Sequence, residues 1–463
     1  MMAGLKPYAA YKDSGSSWLA QVPTHWEVRA LRTLIRPRNE RNRIDMPLLS
    51  VAREKGVFVR SMTDASENHN VIPLDLSNYK VARAGALVIN KMKAWQGSMG
   101  IAPCDGIVSP AYYVYDFDIA NGKFGQALLR SKPYVAHFGQ ASDGVRVGQW
   151  DLTIAAMRQI PVLVPPPEEQ AAIVRFLDWA NARLERTIRA KRRVIALLTE
   201  QKQAIIHRAV TRGLDPTVTL KPSSIPWLGD IPAHWKIWRI KYLVKEVDRR
   251  STTGAEPLLS MRMHHGLVLF ADHFTRPPQA ATLKGFKIVA PGQIVVNRMQ
   301  AGNGVIFSSS LNGLVSPDYA VLDPIGAVNV EFLGELFRSR KVRAKFRAES
   351  KGLGTGSSGF MRLYNDRLGA IHVALPPVDE QAAILAGLDD ELSGVNTAIS
   401  RLHREIDLLR EYRTRLVADV VTGKLDVRAA AALLPFGPDD SEAIEATEPE
   451  STEEIEDEEN SVN

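Results

Sequence analysis

One cysteine, Cys104, in 463 residues excludes an internal disulfide framework and leaves too few thiols for a Cys/His metal cluster. Long hydrophobic runs are also missing. No stretch approaches the ~20 apolar residues of a membrane span, and the start, MMAGLKPYAAYKDSGSS, has no basic region followed by an apolar one. A cytoplasmic protein without a membrane partner is expected. No Walker A motif, metal-ligand cluster or nucleophile elbow is present, so the chain is expected to be catalytically inert, with no catalytic residue, metal or cofactor of its own. Acidic charge is scarce outside the C-terminus. Residues 429–463 hold 12 of the 52 acidic residues and no basic one, so the rest of the chain sets 58 basic residues against 40 acidic ones, a balance of +18 behind a net charge of only +6. So basic a body is the electrostatic footprint of a nucleic-acid binder.

What is present is one unit written twice. SSWLAQVPTHWEVRALRTLIR returns as SIPWLGDIPAHWKIWRIKYLVK, placing Trp18, Pro23, His25 and Trp26 on Trp227, Pro232, His234 and Trp235. Pro47 to Ser50 recur as Pro257 to Ser260, and YKVARAGALVINKMKAW recurs as FKIVAPGQIVVNRMQAG. VSPAY returns as VSPDY. Each half closes alike, with IPVLVPPPEEQAAIVRFLD against IHVALPPVDEQAAILAGLD, then VTRGLD against VTGKLDV. A long period seen twice means duplicated domains, not a solenoid.

Upstream of the prolines, short apolar segments such as GALVI and QIVV, punctuated by Gly, Pro and Asn, read as strands. One helix candidate recurs there, GKFGQALLRSKPYVAHF and VEFLGELFRSRKVRAKF. Downstream of Pro165, Pro166 and Pro167, and of Pro376 and Pro377, glycine and proline almost vanish until Gly213 and Gly423, which are helix start and stop signals. These helices carry a heptad seam. In the second copy Leu385, Leu388, Leu392, Val395, Ile399, Leu402, Ile406, Leu409, Arg413, Leu416 and Val420 alternate steps of three and four. In the first, Val174, Leu177, Asn181, Leu184, Ile188, Lys191, Ile195, Leu198, Lys202, Ile205 and Ala209 do the same. Chain order then suggests antiparallel packing, each helix starting at its own domain and ending near the other.

The paired PxHW motifs, the paired P-P-x-E-E-Q and P-P-x-D-E-Q motifs and the helices after them make the sequence, over about residues 16–428, resemble the specificity (S) subunits of type I restriction-modification systems. The resemblance implies an α+β fold in which two duplicated target-recognition domains are separated by two long helices forming an antiparallel coiled coil, a pseudo-two-fold dumbbell. The expected domains are 1–165 and 214–375 for target recognition, 166–213 and 376–424 for the helices, and 425–463 for an acidic, disordered tail outside the family pattern. It implies a DNA sequence-recognition subunit that reads a bipartite, asymmetric site in double-stranded DNA. The chain would dock two methyltransferase (M) subunits and restriction (R) subunits, with S-adenosylmethionine, ATP and Mg held by those partners. Leu177, Leu184, Ile188, Ile195, Leu198, Ile205, Leu388, Val395, Ile399, Leu402, Ile406 and Leu409 are the expected coiled-coil and partner residues.

Base discrimination needs Arg, Lys, Asn or Gln reaching groove edges, and phosphate contact needs Arg and Lys. The post-strand loop with Asn90, Lys91, Lys93, Trp95 and Gln96, and its partner with Asn297, Arg298, Gln300 and Asn303, share a framework yet differ at Lys93/Gln300 and Trp95/Gly302. Two readers of different sequences should differ so. The polar loops 142–149, with Arg146 and Gln149, and 354–362, with Ser357 and Arg362, complete the candidate DNA-binding set. RALRTLIRPRNERNR, with six arginines, reads as either a phosphate-contacting segment or a solvated basic helix face. The paired tryptophans read as buried anchors and His25 and His234 as core neighbours.

Enzyme readings fit poorly. Gly354, Gly356 and Gly359 satisfy G-x-G-x-x-G, but a charged helical stretch stands where a strand is required and the first half has no counterpart. SPAY and SPDY carry Ser where an amino-methyltransferase tetrad has Asn or Asp, and both lack its second proline. Asp318 with Glu349 and Lys351 makes a loose nuclease pattern, but the first copy has Ala111. An architectural coiled-coil adaptor without DNA specificity and a self-sufficient nuclease or methyltransferase remain the alternatives.

Overall fold

The computed structural model describes residues 5–60, 73, 75–146, 149–263, 265–274, 277–353 and 360–435, of which Arg146 and Gln149 are described as backbone only. Ser357 and the acidic residues of the tail lie outside the described residues. The helices in chain order are α1 (Gly122–Leu129), α2 (Lys132–Gln140), α3 (Ile154–Gln159), α4 (Pro167–Arg212), α5 (Phe270–His273), α6 (Val330–Arg338), α7 (Arg340–Glu349), α8 (Asn365–Ala370), α9 (Val378–Val421) and α10 (Arg428–Ala432). The chain divides into two compact units. One holds the chain up to Lys191 and again from Arg404; the other holds Arg192–His403. Each therefore takes the first part of one long helix and the last part of the other.

Both units are built on the same antiparallel four-stranded sheet. In the first, Leu87–Asn90 lies between Tyr112–Phe117 and Met99–Ile101, with Ile35–Pro37 outside Tyr112–Phe117. The second repeats this order with Ile294–Val296, Ala320–Pro324, Ile306–Ser308 and Val244–Glu246. The strand after each PxHW, Glu27–Ala30 or Lys236–Arg239, pairs with the strand before the prolines, Pro161–Val164 or His372–Leu375. That pairing sets the beginning of the long helix beside the PxHW turn.

The recurring helix candidate is two helices in each copy. Ser131 and Ser339 are extended between α1 and α2 and between α6 and α7. In the first copy Pro133 explains the break, because within a continuous helix its ring would meet the carbonyl one turn back. In the second copy Ser339 ends one helix and opens the next without a proline. The split lets Phe124 and Leu128 bury from one direction and Tyr134 and Phe138 from another. The arginine-rich segment is not a helix either. It runs as Glu27–Ala30, a short 3-10 turn and Ile35–Pro37 before an irregular stretch.

α4 and α9 start and stop as the punctuation demands. Glu168 and Glu169 lie in the first turn of α4, Asp379 and Glu380 in that of α9, where the helix dipole favours carboxylates. Gly213 and Gly423, at φ +81° and +75°, take the left-handed conformation past the last turns. Over the middle of both helices the heptad positions are the least exposed stripe, through Leu184, Ile188, Ile195 and Leu198, and from Leu388 through Val395, Ile399 and Leu402 to Ile406 and Leu409. Nearer the ends Ile173, Phe176, Ile206 and Ile384, off the stripe, are buried against the units, while Leu177 on it is buried and Ile205 half-buried. Within the first unit Lys191 meets Glu405 at 2.5 Å and Glu185 meets Arg413 at 3.2 Å. Within the second, Lys202 meets Asn396 at 2.7 Å and Arg208 meets Glu391 at 2.9 Å. Partners that fall in number as their mates rise mean antiparallel segments in each unit. Each main core then takes residues from both helices: Ile173, Phe176, Leu416 and Val420 in the first unit, and Ile384, Leu388, Ile206 and Val210 in the second.

Candidate nucleic-acid interface

The two motifs that open and close each half meet in space. Trp26 is fully buried and its Nε1 donates to Glu169 Oε1 at 3.0 Å, while His25 Nε2 lies 2.7 Å from Oε2. Trp235 and His234 hold Glu380 with the same two distances. The next residue is equally committed. Gln170 Nε2 donates to Pro165 O at 2.8 Å and its Oε1 accepts from Asn121 N, whose own side chain caps α1; Gln381 links Pro376 O and Asn329 N likewise. These groups fix the helix to its unit. Trp26 and Trp235 are the buried anchors, Trp18 and Trp227 are only partly buried, and the His25 and His234 rings stand half-exposed instead of in the core.

Away from this anchor, the loops after Leu87–Asn90 and Ile294–Val296 form matching turns. Asn90 Oδ1 accepts from Met92 N at 3.2 Å and Asn297 Oδ1 from Met299 N at 3.1 Å, so each asparagine shapes the turn that presents the polar residues of its loop. Gly97 and Gly304 close the short 3-10 turns at positive φ. In the first unit the hairpin Ser142–Arg146/Gln149–Leu152 docks on this turn. Leu152 N donates to Lys91 O at 2.9 Å, Lys91 pairs with Asp151 at 2.8 Å, and the Trp95 and Trp150 rings lie 5.1 Å apart. In the second unit Leu363 N donates to Arg298 O at 2.9 Å. Two loops far apart in sequence thus become one surface in each unit.

A chain from a solved type I R-M system, studied for complex assembly and conformational transition, matches with a TM-score of 0.56 at 17% identity, covering 87% of this chain and 99% of that one. This chain has the fold of that type I R-M chain. The HsdS subunit from Thermoanaerobacter tengcongensis is also similar (TM-score 0.42, 16% identity, 88% of this chain and 98% of that one), as is the S subunit from M. genitalium (0.30, 12%, 85% and 96%). No family model and no curated protein matches the sequence.

In this type I R-M fold the candidate residues stand in different states. Lys93 is exposed, and Trp95 and Gln96 are half-exposed on the same turn. Asn90 is 5% exposed and faces its own loop. Asp151 holds Lys91 above the usual ammonium range. Arg298 pairs with Glu246 and is largely buried. Asn303 accepts from Arg347 at 3.3 Å, and Gln300 is half-exposed beside it. Arg362 pairs with Asp318 at 3.2 Å, a carboxylate that the first copy replaces with Ala111. Sequence reading missed Trp150 and Asp151, which lie just beyond the loop it selected. Among the described residues no group of three or more His, Cys, Asp or Glu could hold a metal ion, and no helix is long and apolar enough to cross a membrane.

Proposed function

We propose that this chain is the DNA sequence-recognition subunit of a type I restriction-modification enzyme. The observation that carries the reading is the pair of units with one framework and different exposed groups at the same turn: Lys93 and Trp95 with Trp150 in the first, Gln300 with Gly302 in the second. Readers built alike but tipped differently recognise different half-sites, so the target is bipartite and asymmetric. The fold of a type I R-M chain supports the same reading. In it, the chain binds double-stranded DNA and docks two methyltransferase subunits and the restriction subunits. Those partners carry the chemistry and its S-adenosylmethionine, ATP and Mg. Lys93, Trp95 and Gln96 face the first half-site and Gln300, Asn303 and Arg362 the second; Arg146 and Gln149 are assigned to the first set and Ser357 to the second from the sequence alone.

The test is to express the chain with a methyltransferase subunit of a type I system that it assembles with and to map methylated adenines. The expected result is modification of one sequence split by a fixed spacer, with Trp95→Gly relaxing one half only. Methylation by the purified chain alone, or a pattern unaltered when the chain is omitted, would overturn the reading.

A further inference from the structure

The duplication lets each unit serve as a reference for the other, and the two differ sharply in one ionic cluster. In the second unit Lys287, only 4% exposed, lies 2.9 Å from Glu246, and the same carboxylate oxygen takes the Arg298 guanidinium. Asp248 adds a second carboxylate, 3.8 Å from Lys287 and 3.0 Å from Arg250. The three cations are therefore matched by two carboxylates built into one strand and its extension.

The first unit keeps the cations and lacks both carboxylates. Register fixes the correspondence: Pro37 pairs with Tyr115 where Glu246 pairs with Leu322, and the bridge Arg41↔Lys80 matches Arg250↔Lys287. Pro37 thus stands for Glu246 and Asn39 for Asp248, while Lys80, Arg41 and Lys91 stand for Lys287, Arg250 and Arg298. Lys80 Nζ donates to Tyr112 O at 2.6 Å, and no carboxylate pairs with it among the described residues. An ammonium carries three donors. Arg41 donates to the neutral Asn39 Oδ1 at 3.1 Å. Glu40 is engaged by Arg83 at 2.6 Å and Asp116 by Arg38 at 2.5 Å, while Asp151 neutralises Lys91 at 2.8 Å, so of the three cations Lys80 and Arg41 are the two without a carboxylate among the described residues. Tyr112 pairs with Asn90, so the carbonyl that Lys80 grips sits at the root of the turn bearing Lys91 and Lys93.

We propose that Lys80 and Arg41, beside the Asp151-paired Lys91, form an anion site in the first unit that takes a backbone phosphate of duplex DNA, where the second unit carries its own Glu246. The proposal rests on the DNA-recognition reading. It adds that the units bind the backbone unequally, since one has filled the equivalent place with an internal carboxylate. Burial, with Arg41 and Lys91 adding, holds Lys80 below the usual ammonium range, the state expected of a cation lacking its counter-charge.

The test uses the full chain and a mixed-sequence duplex of about 30 base pairs, with affinity followed against salt. One lost phosphate contact lowers the log–log slope by about 0.9. Asn39→Asp, which installs the residue that the second unit has, and Lys80→Gln should each flatten the slope by about that amount, and Arg250→Gln should leave it unchanged. Asn39→Asp changes one amide into a carboxylate at an exposed site, so it keeps the test sound should Lys80→Gln fail to fold. Unchanged slopes in both first-unit variants, with wild type still binding, would overturn the site and leave the DNA reading intact. Absence of salt-dependent binding by wild type would overturn the DNA reading itself. Inorganic phosphate then decides the site: a rise in melting temperature that Asn39→Asp abolishes supports it with free phosphate as ligand, and no rise overturns it.

Discussion

Glu169 and Glu380 occupy the same place in their units but not the same medium. Glu169 is 3% exposed because Tyr8 closes over it and donates its hydroxyl at 2.6 Å; Glu380 has no such cover and is 31% exposed. Removing a buried acceptor strands every donor aimed at it, whereas water replaces an exposed one. Glu169→Ala should therefore cost on the order of 3 kcal/mol by leaving Trp26, Tyr8 and His25 without their acceptor, and Glu380→Ala about 1 kcal/mol. Urea unfolding of the two variants checks this, and equal losses would mean that the Tyr8 cover is without effect. Two histidines make a pH prediction. His137 stacks on Trp18 with centroids 4.4 Å apart, and burial holds its pKa below the ordinary 6.5, opposed by Gln140; His207 is lowered by burial and then by Lys341, Arg340 and Arg212. Below about 6.5 the unfolded chain binds protons that the folded chain refuses. Their contribution to stability is thus full above that pH and is lost as pH falls from 6.5 through the lowered values. A double His137→Gln, His207→Gln variant should show a shallower loss between about pH 6.5 and 5. An unchanged slope there would refute the assignment.

At the scale of elements, the seam of α4 and α9 separates packing from surface along the same helices. Ile188 and Ile406 are 2% and 4% exposed, whereas Leu197 and Leu408 are 59% and 58% exposed. Ile188→Ala or Ile406→Ala should cost about 2–3 kcal/mol, and the same change at Leu197 or Leu408 less than about 0.5 kcal/mol, read from thermal unfolding of the chain without partners. These helices were legible in the sequence because steps of three and four leave a periodic trace. The break between α1 and α2 was not, since the apolar spacing runs on through Ser131 and only the backbone turns. The meeting of His25 and Trp26 with Glu169 crosses 143 residues and more, a separation with no periodic signal. Only the twofold recurrence of both motifs hinted that they belong together. The candidate interface was half legible. The divergent turn at Lys93 and Trp95 stood out against its copy, but the state of Lys80 depends on Pro37 and Asn39 in another strand and its extension. A lysine that recurs as Lys287 looks the same in both copies until the register reveals which one has a counter-charge.

At the scale of the whole molecule, charge is segregated along the chain. The twelve acidic residues that reduce +18 to +6 all follow Pro435. The described chain just before them belongs to the first unit, where α10 packs in the core and Leu434, 5% exposed, gives its carbonyl to Arg175 at 2.8 Å. The acidic segment therefore follows directly from the unit in which Lys80 and Arg41 lack a carboxylate among the described residues, and if the chain binds DNA as proposed, the segment is expected to act as a covalently linked competitor for the phosphate-binding surface. Competition between charges is screened by salt, with a Debye length of about 30 Å at 0.01 M and 8 Å at 0.15 M. Truncation after Pro435 should then raise affinity for mixed-sequence duplex DNA, most at low salt, with the gain shrinking as salt rises toward physiological strength. The same truncation in an Asn39→Asp background should gain less, because one of the cations competed for is already neutralised. Equal affinities for full-length and truncated chains at 0.01 M salt would show that the acidic segment does not reach the binding surface. A gain that Asn39→Asp leaves undiminished would place the competition on other cations of the body.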